Sequence, residues 1–273
     1  MNPGDIVPLA FQEGVVVLSF VVAVLGAYVA LLAATRIRGG RHEGVHMGYV
    51  AVAAFAMGGV GIWSMHFIGM QSQRMPFIVG YQVGWTVLSL VVAVVLSGAA
   101  FWYVGRCAFT LGRCVAGGVL AGVGVAAMHY LGMAAMRMPA EVVYQPGMVV
   151  TSIVIAIAAA TAALWLAFNI QSEWQRPVAA VVMAVAVCGM HYTAVAGGVV
   201  VCTSPRANAG WTIGGMLLPY VVFLLSALAL LAIRWQLHRT SALYRAHLAA
   251  RVDALIDSTD SSGSPLARPP GST

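Results

Sequence analysis

The chain alternates long apolar runs with short polar breaks, and the length of the runs sets the fold. Seven apolar stretches of about twenty residues follow one another, at about 14–34, 45–70, 83–104, 115–136, 148–170, 178–201 and 212–233. A helix of that length crosses the hydrocarbon core of a bilayer. Inside lipid every backbone N–H and C=O must find its partner within the segment, and a helix provides this. The pattern predicts an all-α, polytopic membrane helix bundle of seven transmembrane helices. The arginines and the acids all lie outside these runs.

A second, longer period runs through the first six spans. Residues 59–76, GVGIWSMHFIGMQSQRMP, align without a gap with residues 122–139, GVGVAAMHYLGMAAMRMP. Tyr81 and Tyr144 extend the match, and Gly189-Met190-His191-Tyr192 is a third, shorter copy. The Met-His pairs start at 65, 128 and 190, spacings of 63 and 62 residues. A fixed period means one structural unit used several times. The expected architecture is three two-helix repeats plus one C-terminal helix, each repeat carrying one His at an equivalent depth.

Charge fixes the orientation. The chain has fourteen basic residues, all Arg, against eight acids, and only 8% of it is charged. A soluble domain carries about 25%. The excess of Arg lies between spans, so the expected partner is the lipid bilayer and no nucleic acid is expected. With the N-terminus outside, eleven Arg fall on inner segments and three (Arg74, Arg137 and Arg206) on outer ones. The positive-inside rule then predicts N-out/C-in, which puts all three Met-His pairs in the outer third of their spans. Residues 1–12 lack the basic start of a signal peptide, so the first helix is expected to be retained. The chain divides into an outer N-terminal segment (1–13), a six-span membrane domain (14–201), an outer loop and seventh helix (202–233), an amphipathic cytoplasmic extension (234–257) and a disordered Ser/Pro/Gly-rich tail (258–273). No catalytic output domain, and hence no enzyme, is expected here. The four Cys show neither CxxC nor zinc-type spacing and read as small apolar filler.

A His within a membrane span is costly and marks a site. One alone is as well explained by a hydrogen bond to a neighbouring helix; three at one depth are not. If the repeats pack around a pseudo-axis, His66, His129 and His191 converge. Met70 and Met133 lie one turn beyond His66 and His129, on the same helix face. Met65, Met128 and Met190 precede the three His, and Val195 replaces the second Met in the third copy. Imidazole with thioether is a ligand set that Cu(I) favours, and imidazole alone suits Cu(II). Zinc more usually recruits Cys or a carboxylate, and neither adjoins these His. Copper is the expected metal. Haem held by two of the His is the alternative cofactor, and a copper-handling permease is a further reading of the repeats and the Met-rich outer face. Phe67, Tyr130 and Tyr192 follow the three His and form an outer layer, where a Tyr hydroxyl could bond a metal-bound ligand. Gly59, Gly61, Gly122 and Gly124, one turn below, are expected to let helices pack closely.

Met190-His191-Tyr192-Thr193 spells in full the motif that names the MHYT-domain bacterial membrane sensors. Met128-His129-Tyr130-Leu131 and Met65-His66-Phe67-Ile68 are looser copies. The chain resembles that family over about residues 14–201. The resemblance implies six spans with Met, His and Tyr near the outer face of the bacterial inner membrane. It also implies copper bound there and sensing of a diatomic gas (O2, CO or NO) or of redox state. Many members carry cyclic di-GMP synthase or phosphodiesterase domains at the C-terminus. Only about forty residues follow the seventh span here, so signalling is expected to pass to a separate cytoplasmic partner. Phe67 departs from the motif.

Overall fold

The structure is a computed structural model. It describes residues 2–38, 44–170, 172–203 and 211–214, with further positions scattered between 220 and 254. The chain divides into two units, Met1–Leu230 and Leu231–Thr273.

Among the described residues six helices are long and apolar enough to cross a membrane. They are α1 (Glu13–Ala34), α2 (Met47–Ser72), α3 (Val83–Gly105), α4 (Leu111–Ala134), α5 (Pro146–Asn169) and α6 (Gln175–Ala196). Consecutive helices form three pairs, and in each pair the second helix is the more enclosed. The first helices turn residues such as Val17, Val21 and Leu25, Val87, Val91 and Val95, or Val150 and Val154 outward. This four-residue spacing is one helix face, here an apolar one suited to lipid. Backbones touch where side chains are missing. A Cβ on Gly26 of α1 would lie 2.6 Å from the Gly61 Cα of α2, and one on Gly122 would lie 2.5 Å from the Ile157 Cα of α5.

Each pair closes on itself. The segment leading into the first helix pairs with the segment leaving the second. Phe11 bridges Gln73. Strand β1 (Gly80–Gln82) pairs antiparallel with β2 (Met136–Arg137), and β3 (Ala140–Tyr144) with β4 (Gly198–Cys202). The backbone N–H groups of Gln12, Gln82 and Gln145, just before α1, α3 and α5, donate to the carbonyls of Ser72, Ala135 and Gly197 at 2.8, 2.8 and 2.9 Å. Each acceptor stands six residues after a repeat His, so the three pairs are one unit built three times. The N-terminal segment completes a cap on this end: Val7 donates to the Val200 carbonyl, and Val7, Val200 and Cys202 bury a small apolar cluster with Met75 and Met138. At the opposite end Arg36 sits over Tyr49, Arg38 over Phe168 and Arg106 over Trp102, the guanidinium 4.7–5.8 Å from the ring centre.

The capping strands correct the expectation of a purely helical chain. The fourth span ends at Ala134 because Met136 and Arg137 enter β2. The sixth ends at Ala196, and the apolar run to residue 201 is strand β4. Where the chain leaves the helix, its free polar groups are satisfied by the partner strand instead, and the β-branched Val199-Val200-Val201 suits that pairing. Thr212, the expected start of a seventh span, lies in strand β5 (Thr212–Gly214), which pairs with β1. The described positions from Tyr220 to Leu230 are helical. The rest of the expected seventh span, Arg206, most of the 234–257 extension and the 258–273 tail lie outside the described residues.

One stretch of α2 departs from α-helical winding. Phe55–Ser64 is a π-helix that ends directly before Met65. The Ser64 hydroxyl donates to the Gly59 carbonyl five residues back, at 3.0 Å, and lies 2.6 Å from the Ser226 hydroxyl. Such windings are rare and are frequent at functional sites.

Candidate metal centre

α2, α4 and α6 each bring their His to the capped end of the bundle, where the three rings meet. His66, His129 and His191 are 0–1% exposed. Their Nδ1 atoms form a triangle with edges of 3.2 Å (His66–His129), 3.2 Å (His66–His191) and 3.3 Å (His129–His191). The rings stand edge to face, with centroids 4.9–5.2 Å apart. A neutral imidazole offers one N–H and one lone pair. A proton on one Nδ1 can serve an edge of the triangle, but the remaining lone pairs face each other. The three Nε2 atoms are buried with no hydrogen-bond partner at all. Buried polar atoms are almost always paired; a cation between the Nδ1 atoms would engage the facing lone pairs and leave each Nε2 to carry its ring's proton.

The Nε2 atoms of His191 and His66 abut helix backbone. A Cβ on Gly69 would lie 2.6 Å from His191 Nε2, and one on Gly132 would clash with His66 Nε2. Each of these glycines stands three residues after a repeat His, and buried Ala194 holds that place in the third copy. These two seats set the His191 and His66 rings with Nδ1 toward the triangle. A point equidistant from the three Nδ1 atoms lies about 1.9 Å from each, close to the metal–imidazole distance of about 2.0–2.1 Å. The triad fits a metal ion. Among the described residues it is the one cluster of His, Cys, Asp or Glu with that property.

The glycines singled out for packing behave unequally. A Cβ on Gly122 or Gly124 would be 2.5 or 2.6 Å from Ile157 or Leu96, and Gly61 receives Gly26. Gly59 is not a close-contact position: a Cβ there would meet the Phe55 and Val94 side chains at 3.6 Å, an ordinary distance.

Phe67, Tyr130 and Tyr192 each stand edge-on to their own His, centroids 4.8–4.9 Å apart. Each then packs edge-on against an aromatic of another repeat: Phe67 on Tyr81, Tyr130 on Tyr144 and Tyr192 on Phe11, at 5.4–5.5 Å. The Tyr130 hydroxyl meets Ser152 of α5 at 2.8 Å, and Tyr192 meets Ser19 of α1 at 2.9 Å. Both serines already donate to the carbonyl three residues back, so the tyrosines are the donors. The Tyr130 hydroxyl thus reaches α5, and that of Tyr192 reaches α1 and also Ser72 of α2. In the first repeat Phe67 has no hydroxyl. The equivalent serine, Ser89, instead accepts from Trp63 Nε1 at 3.0 Å. Burial keeps the supporting phenols neutral: it raises Tyr81, and together with neighbouring Tyr130 it pushes Tyr144 up to about 12.

These latches carry a sequence signal that the Met-His alignment overlooks. Phe11-Gln12, Tyr81-Gln82 and Tyr144-Gln145 are each followed, seven residues after the Gln, by Ser19, Ser89 and Ser152. The pattern marks the start of each repeat.

The methionines do not gather on one face. Met65, Met128 and Met190 are 1% exposed. Met70 lines a pocket of about 570 Å³ with Gln73 and Arg74, and Met133 lines one of about 260 Å³ with Tyr130 and Tyr144. Met190 instead lines an apolar cavity beside Ile62 and Val187. Among the described residues no acid or thiol joins the triad.

Known sequences carry the same repeated unit. The family described as "Bacterial signalling protein N terminal repeat", MHYT, matches residues 59–117 and 122–180, which hold His66 and His129. The chain belongs to the MHYT-domain family. It is a signalling sensor region of the kind found in multi-pass membrane proteins. The MHYT chain is 42% identical over 192 residues to the bifunctional diguanylate cyclase/cyclic di-GMP phosphodiesterase MucR of Pseudomonas aeruginosa, covering 68% of this chain and 28% of that protein. It is 34% identical to the cyclic di-GMP phosphodiesterase NbdA of the same organism, over 68% of this chain and 24% of that one. To the signaling protein YkoW of Bacillus subtilis it is 29% identical, with the same shares. The chain thus spans about a quarter of the length of these relatives. No solved structure matches it.

Proposed function

We propose that this MHYT region is a copper-holding membrane sensor of a diatomic gas (O2, CO or NO) or of redox state. The observation that carries the proposal is the Nδ1 triangle of His66, His129 and His191, buried, with three ring nitrogens facing one another and sized for one ion. Three neutral nitrogen donors with no carboxylate or thiol suit copper. Met70 and Met133, lining the pockets of the capped end, offer soft donors on the way in. Bound copper would supply an open coordination position for the gas. The chain does the rest. Gly69 and Gly132 seat the rings, the capping strands exclude water, and the Tyr130–Ser152 and Tyr192–Ser19 bonds couple ring position to α5 and α1. Haem needs two nitrogens on opposite sides of a macrocycle, and donors 3.2–3.3 Å apart leave no such gap. A permease needs a polar path, and the cavity beside the triad is apolar.

The proposed setting is the bacterial inner membrane, with seven spans, N-out/C-in. The 14–201 sensor domain leads through residues 202–233 to the 234–257 extension on the cytoplasmic side, where a separate signalling partner is met. The relatives named for cyclic di-GMP synthesis and breakdown make cyclic di-GMP turnover the proposed output, with no catalytic role for this segment.

Metal analysis of purified protein is expected to find one copper per chain, with an optical spectrum altered by CO, and both are expected to vanish in the His66→Ala/His129→Ala/His191→Ala variant. Absence of stoichiometric copper, or copper retained by the triple variant, rejects the reading.

A further inference from the structure

Ile62, Val125 and Val187 stand four residues before His66, His129 and His191. A four-residue step places each of them one turn down the same face of its helix. All three line a single cavity of about 40 Å³. The near wall of the cavity therefore lies one turn from the triad, on the side away from the cap, and Met57 and Ala121 line it further down. Met190, Phe101, Leu164 and several alanines add to its wall, and Ser97 is its only hydroxyl-bearing lining residue. Ile62 belongs to the π-helical stretch of α2, so the one irregular helix borders the void.

Size and chemistry restrict the occupant. A site needs about 10–15 Å³ and two to four polar partners to hold a water. This one has the room but not the partners, so it stays dry, and dry apolar cavities of this kind take up small apolar molecules such as xenon. Ions and hydrogen-bonding metabolites are excluded because burying an unpaired polar group is costly. Two or three heavy atoms are all that fit. The surrounding bundle faces lipid, in which apolar gases dissolve readily.

We propose that this cavity is a docking site for a small apolar gas molecule, held by contact alone one helical turn from the three imidazoles. What the gas then does rests on the sensor reading above; its binding needs no metal. A gas molecule dissolved in the membrane would wait here, next to the centre, without passing the cap.

The test uses the metal-free full chain in lipid nanodiscs or crystals under xenon pressure. The expected result is one xenon site contacting Ile62, Val125 and Val187, seen as an anomalous peak or a saturable ¹²⁹Xe shift. Val187→Phe is expected to abolish it. Phe101→Ala, which enlarges the void, is expected to keep the site and to raise its occupancy or admit krypton and xenon together. No xenon in folded wild type, or xenon unaffected by Val187→Phe, overturns the inference. Copper titration run in parallel separates the two ideas: copper without xenon overturns the cavity and leaves the metal centre, whereas xenon without copper supports the cavity and overturns the centre.

Discussion

Gly69 and Gly132 decide which nitrogen His191 and His66 present. With no Cβ, each lets a neighbouring ring press against its backbone, which leaves Nε2 unpartnered and turns Nδ1 inward. Gly132→Ala is expected to destabilise the protein by about 1–3 kcal/mol, the usual cost of forcing a methyl group into a packed site. It is also expected to weaken copper binding at least about tenfold, since one ring must swing off the triangle. Thermal unfolding and copper titration in detergent check both; wild-type values for the variant would mean the ring is not held this way. The three His were legible because an intramembrane His repeated at a fixed period stands out. The two glycines were printed in the same repeat, but helical spacing says only which residues share a face, not which foreign ring arrives there. The packing role fell instead to the glycines one turn below, and for Gly59 the contact does not exist.

At the level of the helices, the latches between pairs set how firmly the ring of repeats is held. Ser152→Ala leaves the half-buried Tyr130 hydroxyl without its acceptor, at an expected cost of about 1–3 kcal/mol, and Ser19→Ala is expected to cost less, because the Tyr192 hydroxyl also bonds Ser72. Ser89→Ala is expected to cost less, because Trp63 Nε1 keeps the Thr86 carbonyl at 3.2 Å. Thermal unfolding of the three variants side by side tests this, and equal losses would contradict it. Hydrophobic run length located six helices to within a few residues. It failed where an apolar run feeds both a helix and a strand: Val199 to Val201 look like more of α6 until β3 claims them. The π-helical stretch was not legible either, because residues 59–64 align without a gap with residues that are plain α-helix in α4.

For the whole molecule, the topology has a built-in reporter. Cys107, in the turn between α3 and α4, is exposed, while Cys114, Cys188 and Cys202 are buried. Under the proposed N-out/C-in arrangement that turn faces the cytoplasm. A membrane-impermeant maleimide is expected to leave the protein unlabelled in intact cells and to label Cys107 in inverted vesicles; labelling from outside would reverse the orientation.

The capped end also governs time. Three Gln–carbonyl bonds, two short sheets and the Val7 cluster stand between the imidazoles and the aqueous phase. An ion held by the triad, as proposed, would leave only when part of that cap opens, and local openings are slow, reaching from microseconds to seconds. Its residence would then be set by the protein's own fluctuations and not by the metal concentration outside. Such a centre would keep its charge of metal as a fixture, and the quantity it could report moment to moment would be one that arrives by another door.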